Sequence, residues 1–195
     1  NMENLQKIYN SNIKHILGAN LDYFQSFRQD LIKNFILDNK LIKNNESTKH
    51  IDRNVLSNLN FKFSSSALNY QHLTNDKLYS SIVVKNGLDY SFINLDKKKA
   101  IINPLSSDLD LLINKLEKNK DLLKDDYIVN LNSILLNSGF DFTLNEHTNL
   151  KTIVLHENNQ LNSTIFAKNF FNIKKNSKLL LIEKLITQFV FFYSL

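Results

Sequence analysis

The 195 residues contain no cysteine and no tryptophan, one proline and three glycines. Without cysteine the chain can form no disulfide and offers no thiolate to zinc or to an iron–sulfur cluster. That absence fits a cytosolic protein, and a disulfide-free periplasmic chain has the same composition. The glycines, at 18, 87 and 139, stand too far apart for a phosphate-binding loop, and no G-x-S-x-G elbow occurs. Long apolar runs are also lacking. The greasiest stretch, "LLLIEKLITQFVFFYSL" (179–195), is interrupted by Glu183, Lys184 and Gln188. It falls short of the ~20 apolar residues of a membrane span. The amphipathic opening lacks the apolar core of a signal peptide. The chain starts Asn1-Met2 and stops inside an apolar run, which reads as an incomplete segment.

What is present is enough to fold. Hydrophobic residues make up 43% of the chain, sufficient for a core, and the length suits one fairly large domain or two small ones. Asparagine and lysine are abundant along the whole chain, a compositional drift with little functional content. The net charge of +5 permits contact with nucleic acid or anionic lipid. The longest basic runs, "DKKKA" (96–100) and "KK" (174–175), are nevertheless short and far apart, so a solvated lysine-rich surface is expected.

The first third is helical in pattern. Leu5, Ile8, Tyr9, Ile13, Ile16 and Leu17 recur at three- and four-residue spacing, and Leu21, Phe24, Phe27, Leu31, Ile32 and Phe35 repeat it after Gly18. From Phe61 the period changes. "FKFS" alternates, and "LYSSIVVKNGLDYSFINL" (78–95) holds two apolar runs divided by Asn86-Gly87, the strongest short hairpin signal. "PLSSDLDLLINKLEK" (104–118) predicts a helix, and "DDYIVNLNSILLNSG" (125–139) a second, ending in a left-handed cap at Gly139. After that, "TIVLH", "STIFA", "FFNI", "KLLLIE" and "FVFFY" alternate with Asn-rich turns. Asparagine tolerates the left-handed conformation of tight bends. A sandwich, a barrel or a parallel β-helix would all suit such strands. Three regions follow: 1–60 helical, 61–145 mixed strand and helix, and 146–195 strand-rich.

Few residues suggest chemistry. The histidines, at 15, 50, 72, 147 and 156, show neither i, i+4 spacing nor an H-x-H motif. His147 beside Glu146 and His156 beside Glu157 could meet if stacked strands brought them together; the plainer reading leaves each at a strand edge bordering solvent. Lys49, His50 and Asp52, in "NESTKHIDRNVLSNLNFKF" (45–63), lie where the helical period gives way to the strand period, which suggests a joint rather than a site. Carboxylates are paired at Asp108 with Asp110 and at Asp125 with Asp126; the first pair, near a helix start, suits capping better than acid–base catalysis. No catalytic, cofactor-binding or metal-ligating residue is assigned.

The order of these features resembles the SufB/SufD family of SUF iron–sulfur cluster assembly proteins, with SufD the nearer branch. "ESTKHIDRNVL" offers Glu46, Lys49, His50, Ile51 and Asp52 in the frame of the family's acidic residue, Trp-Lys-Tyr-Thr-Asp and leucines, without the tryptophan. "SIVVKNGLDYS" (81–91) is similar to the family's strand, Asn-Gly, strand segment. "NLNSILLNSGFDFTL" (130–144) is similar to its Leu-Asn … Gly passage through Leu131, Asn132 and Gly139, and "TIVLHENNQLNSTIFAKNFFNIKKNSKLLLIEKL" (152–185) looks like its first β-helix coils. The resemblance implies an α+β, mainly β fold: an N-terminal helical region followed by the start of a right-handed parallel β-helix at 146–195. It implies a non-catalytic cytoplasmic scaffold that pairs with a SufB-like paralogue and a SufC-like ATPase, binds no cofactor in this segment, and contacts neither nucleic acid nor membrane. The iron–sulfur cluster would be handled by the full complex. Two other classes compete: a β-helical acyltransferase or carbohydrate-active enzyme, and a basic nucleic-acid-binding module.

Overall fold

The computed structural model describes residues 2–38, 63, 78–119, 127–158, 163–187 and 191–194. Helix α2 (Asp22–Asp38) forms where the apolar spacing predicts it, whereas α1 (Met2–Ser11) stops short of the predicted Ile13, Ile16 and Leu17, which lie in a 3-10 turn at Ile13–His15 and the connection after it. Strands β1 (Ser80–Lys85) and β2 (Asp89–Ile93) pair antiparallel with Lys85 opposite Asp89. Asn86 (φ 52°) and Gly87 (φ 70°) both take the left-handed conformation between them, and that twist matches the strands it joins.

Strand β3 (Ala100–Pro104) leads into helix α3 (Leu109–Asn119), whose first turn is capped by Asp108: its Oδ1 accepts the Leu111 N–H at 2.9 Å. Helix α4 (Tyr127–Ile134) is shorter than its sequence pattern predicts, and Gly139 (φ 136°) is not its left-handed cap. The chain leaves the helix early because the backbone N–H groups of Asn137 and Ser138 donate instead to Phe166 O, at 3.0 and 3.1 Å. Six strands follow: β4 (Phe140–Leu144), β5 (Asn149–Asn158), β6 (Ile165–Lys168), β7 (Phe170–Ile173), β8 (Lys178–Thr187) and β9 (Phe191–Ser194).

Among the described residues the strands form a four-stranded sheet (β2-β1-β5-β8), a three-stranded sheet (β3-β4-β7) and a pair (β6-β9). Asp141 lies opposite Phe170, and Asn149 opposite Lys178, so β4–β5 and β7–β8 are parallel layers 29 residues apart. The expected right-handed parallel β-helix is not what these sheets make. Both larger sheets are mixed, because β2 and β3 enter them antiparallel, and two helices interrupt the chain between β3 and β4. Among the described residues no closed or solenoid sheet results. The fold is mixed α/β, with four α-helices among the described residues.

Three apolar clusters hold it together. Ile82, Val84, Ala100, Ile102, Phe140, Phe142, Leu144 and Val154 fill the space between the two mixed sheets, with Phe171 edge-on to Phe140. Leu5, Ile8, Tyr9 and Ile32 from α1 and α2 pack on Leu131, Ile134, Leu135 and Phe166. Phe24 packs on Leu105, Leu112, Leu116 and Leu136. Each buried Leu, Ile or Phe contributes roughly 1.5–3 kcal/mol, so together they outweigh the polar groups buried among them. No helix among the described residues is long and apolar enough to cross a membrane.

Candidate functional site

The two His-Glu pairs do not meet. His147 is exposed on the β4–β5 turn (φ 55°), whereas His156 lies nine residues further on, ~30 Å along extended chain. His156 is also not at a solvent border. It sits opposite Val84, sharing that residue's inward face, and only 3% of its surface is exposed. Burial pushes its imidazole down to about 4. Lys49, His50, Asp52, His72, Asp125 and Asp126 lie outside the described residues. No group of three or more His, Asp or Glu that could hold a metal ion occurs among the described residues.

Polar groups gather instead where the helices meet the strands. Asn132 Nδ2 donates to Ala167 O at 2.8 Å, Asn137 Oδ1 accepts from Phe166 N at 2.9 Å, and Asn169 Oδ1 accepts from Phe140 N at 3.0 Å. Gly139 passes beneath β6 so closely that a Cβ would stand 1.8 Å from Lys168 O. Two cations flank Ser133: Lys168 Nζ donates to its Oγ at 2.7 Å, and Arg28 Nε donates to its carbonyl at 3.3 Å. Arg28 is fully buried and stacks on Phe24 at 5.2 Å, and among the described residues its Nη1 and Nη2 have no hydrogen-bond partner. Desolvation pulls Arg28 down to about 10, and the adjacent Tyr9 hydroxyl partly offsets this without reaching hydrogen-bond geometry. Desolvation also pulls Lys168 down to about 8.

Beside this joint four connections surround a cleft of about 400 Å³. The α1–α2 connection supplies Lys14, His15, Ile16, Leu17 and Gly18; the β1–β2 hairpin supplies Gly87, Leu88 and Tyr90. Ser106 and Leu109 come from the β3–α3 connection, and Asn137 and Ser138 from the α4–β4 connection. Loops held by a rigid scaffold are where binding residues concentrate. Here the walls are fixed: Leu17 N donates to Leu136 O at 2.9 Å, and the Tyr90 hydroxyl accepts the Gly139 N–H at 2.8 Å while lying 2.8 Å from Ser138 Oγ. Burial raises the Tyr90 pKa, which keeps that hydroxyl protonated. Among the described residues no Asp or Glu lines the cleft. The sequence gives no motif for it, since its residues come from four separate turns; Gly18 and Gly87 mark only that turns are there.

A second gathering was hidden by sequence distance. Asn145 joins the two basic runs: its N–H donates to Lys99 O and its Nδ2 to Lys98 O, both at 2.8 Å, and Lys174 Nζ reaches its Oδ1 at 3.5 Å. Lys97, Lys98, Lys99, Lys174, Lys175 and Lys178 are therefore neighbours on one exposed corner, with Asp96 and Glu146 among them. Comparison with family models, with curated proteins and with solved structures finds no match for this chain.

Proposed function

We propose that this chain is a SufD-like scaffold component of the SUF iron–sulfur cluster assembly complex, cytoplasmic and without catalysis of its own. It pairs with a SufB-like paralogue and a SufC-like ATPase, and the cluster is cargo of the assembled complex. The observation that carries this reading is the work done by Leu131, Asn132 and Gly139, the residues of the Leu-Asn … Gly passage. All three are buried at the junction of α4 with the strands, where Asn132 holds β6 and Gly139 admits the Lys168 carbonyl. A motif spent on joining layers suits a protein whose task is to present a shaped surface.

The test is co-expression of the protein as encoded with the SufB-like and SufC-like proteins of the same organism. A stable complex of all three is expected. If the other two bind each other and exclude this chain, the reading fails. A second reading, binding to nucleic acid, is favoured by the lysine corner alone. Titration of salt against a random DNA duplex distinguishes it, because phosphate contacts give a steep salt slope that the scaffold reading does not require.

A further inference from the structure

We infer that the lysine corner, where the β2–β3, β4–β5 and β7–β8 connections lie together, is a docking surface for an anionic lipid bilayer. The inference goes beyond the assembly reading, which calls for no membrane contact, and stands whether or not that reading holds. Each of the three connections crosses from one mixed sheet to the other. They stack as layers, because Asn145 N–H donates to Lys99 O, Lys174 N–H to Leu144 O and His147 N–H to Lys175 O. Two steps of ~4.8 Å therefore bring the two basic runs, far apart in sequence, within ~10 Å of each other. A connection between facing sheets is convex on its outer side, and residues 96–99, 146–147 and 172–176 are all exposed along it.

Charge is the first support. Asp96 is turned into its own bend, where its Oδ1 accepts the Lys98 N–H at 2.9 Å. The six lysines of the corner, set against Asp96 and Glu146, leave four positive charges on one edge of a chain whose net charge is +5. Clusters of this size attract anionic leaflets, and each lysine near the surface strengthens binding roughly fivefold. The second support is apolar. Ile101 and Leu180 are 50% and 49% exposed on the two sheets beside the corner. Their neighbours Ala100, Ile102, Leu179 and Leu181 pack into the core, so these two side chains alternate outward. Leu180 lies opposite Lys151, which is also exposed and extends the basic surface. Duplex phosphates give an exposed leucine or isoleucine no partner, whereas a bilayer interface does. A convex edge also presents its lysines together to a plane, while peptides are held in grooves or along strand edges.

The experiment is flotation of the intact protein with vesicles of phosphatidylcholine alone and with about 30 mol% phosphatidylserine. Binding to the anionic vesicles should exceed that to neutral ones at least about tenfold and should fall with salt. Lys97→Ala, Lys98→Ala and Lys175→Ala combined should weaken it roughly a hundredfold. The same change at Lys7, Lys33 and Lys118, exposed on the three longer helices, should cost less than about threefold. Leu180→Ser should weaken vesicle binding severalfold. The comparison of vesicles needs no variant, so it decides even if one misfolds. Equal flotation with neutral vesicles, equal losses in the corner and helix variants, or tighter binding to a random DNA duplex at the same phosphate concentration would each overturn the inference.

Discussion

The space between the two mixed sheets and the joint between helices and strands are built on opposite terms. The first is aromatic and aliphatic: Phe140, Phe142, Ile82 and Val154 touch one another with no directional bond required. The second holds Asn132, Ser133, Asn137, Asn169, Arg28 and Lys168, nearly all engaged with backbone. Apolar contact stabilises many arrangements about equally, whereas a side-chain amide that must meet one particular backbone group permits a single register. The interior supplies most of the stability, and the joint decides which helix residue faces which strand residue.

Three experiments break or sharpen that contrast. Gly139→Ala should have the largest effect, a loss above about 4 kcal/mol or failure to fold. The added Cβ meets the Lys168 carbonyl, and a φ of 136° is strained for any residue but glycine. Urea unfolding measures it; a loss under about 1 kcal/mol would mean that the joint yields and does not set the register.

Acid should come next. The unfolded chain protonates His156 near 6.5, whereas the folded chain resists until about 4. Stability is therefore unaffected above that window and is lost as pH falls through it, by roughly 3 kcal/mol. His156→Gln should flatten the profile between those limits, and an unchanged profile would place the acid sensitivity at another group.

Arg28→Met should have the smallest effect, within about 1 kcal/mol or stabilising, because among the described residues the guanidinium meets no carboxylate and only its Nε is bonded. A loss of several kcal/mol would show that the charge itself holds the joint.

Much of the secondary structure was legible from period and punctuation. The apolar spacing located α1 and α2, Asn86-Gly87 located the hairpin, and "FFNI" is β7 residue for residue. What could not be read was partnership. Gly139 looks like a helix cap because the preceding residues keep helical spacing, yet the pull of Phe166 O on Asn137 and Ser138 ends the helix five residues sooner, at Ile134. The sheet architecture escaped for the same reason: no local pattern says that β2 and β3 join the parallel strands antiparallel. The cleft was invisible because each wall is an ordinary turn. The lysine corner depends on Asn145, which lies in neither basic run.

The matched turns at 145–148 and 174–177 have an evolutionary consequence. His147 (φ 55°) and Asn176 (φ 56°) occupy the same left-handed place one layer apart, and asparagines at 86 and 94 fill similar bends. Corners that accept asparagine so readily let this chain carry its many asparagines with little harm. Spacing has no such latitude, since one residue gained or lost between Phe140 and Ile173 would turn the following strand's inward residues outward. Lineages carrying this fold should therefore diverge widely in letters across that stretch while its length is conserved.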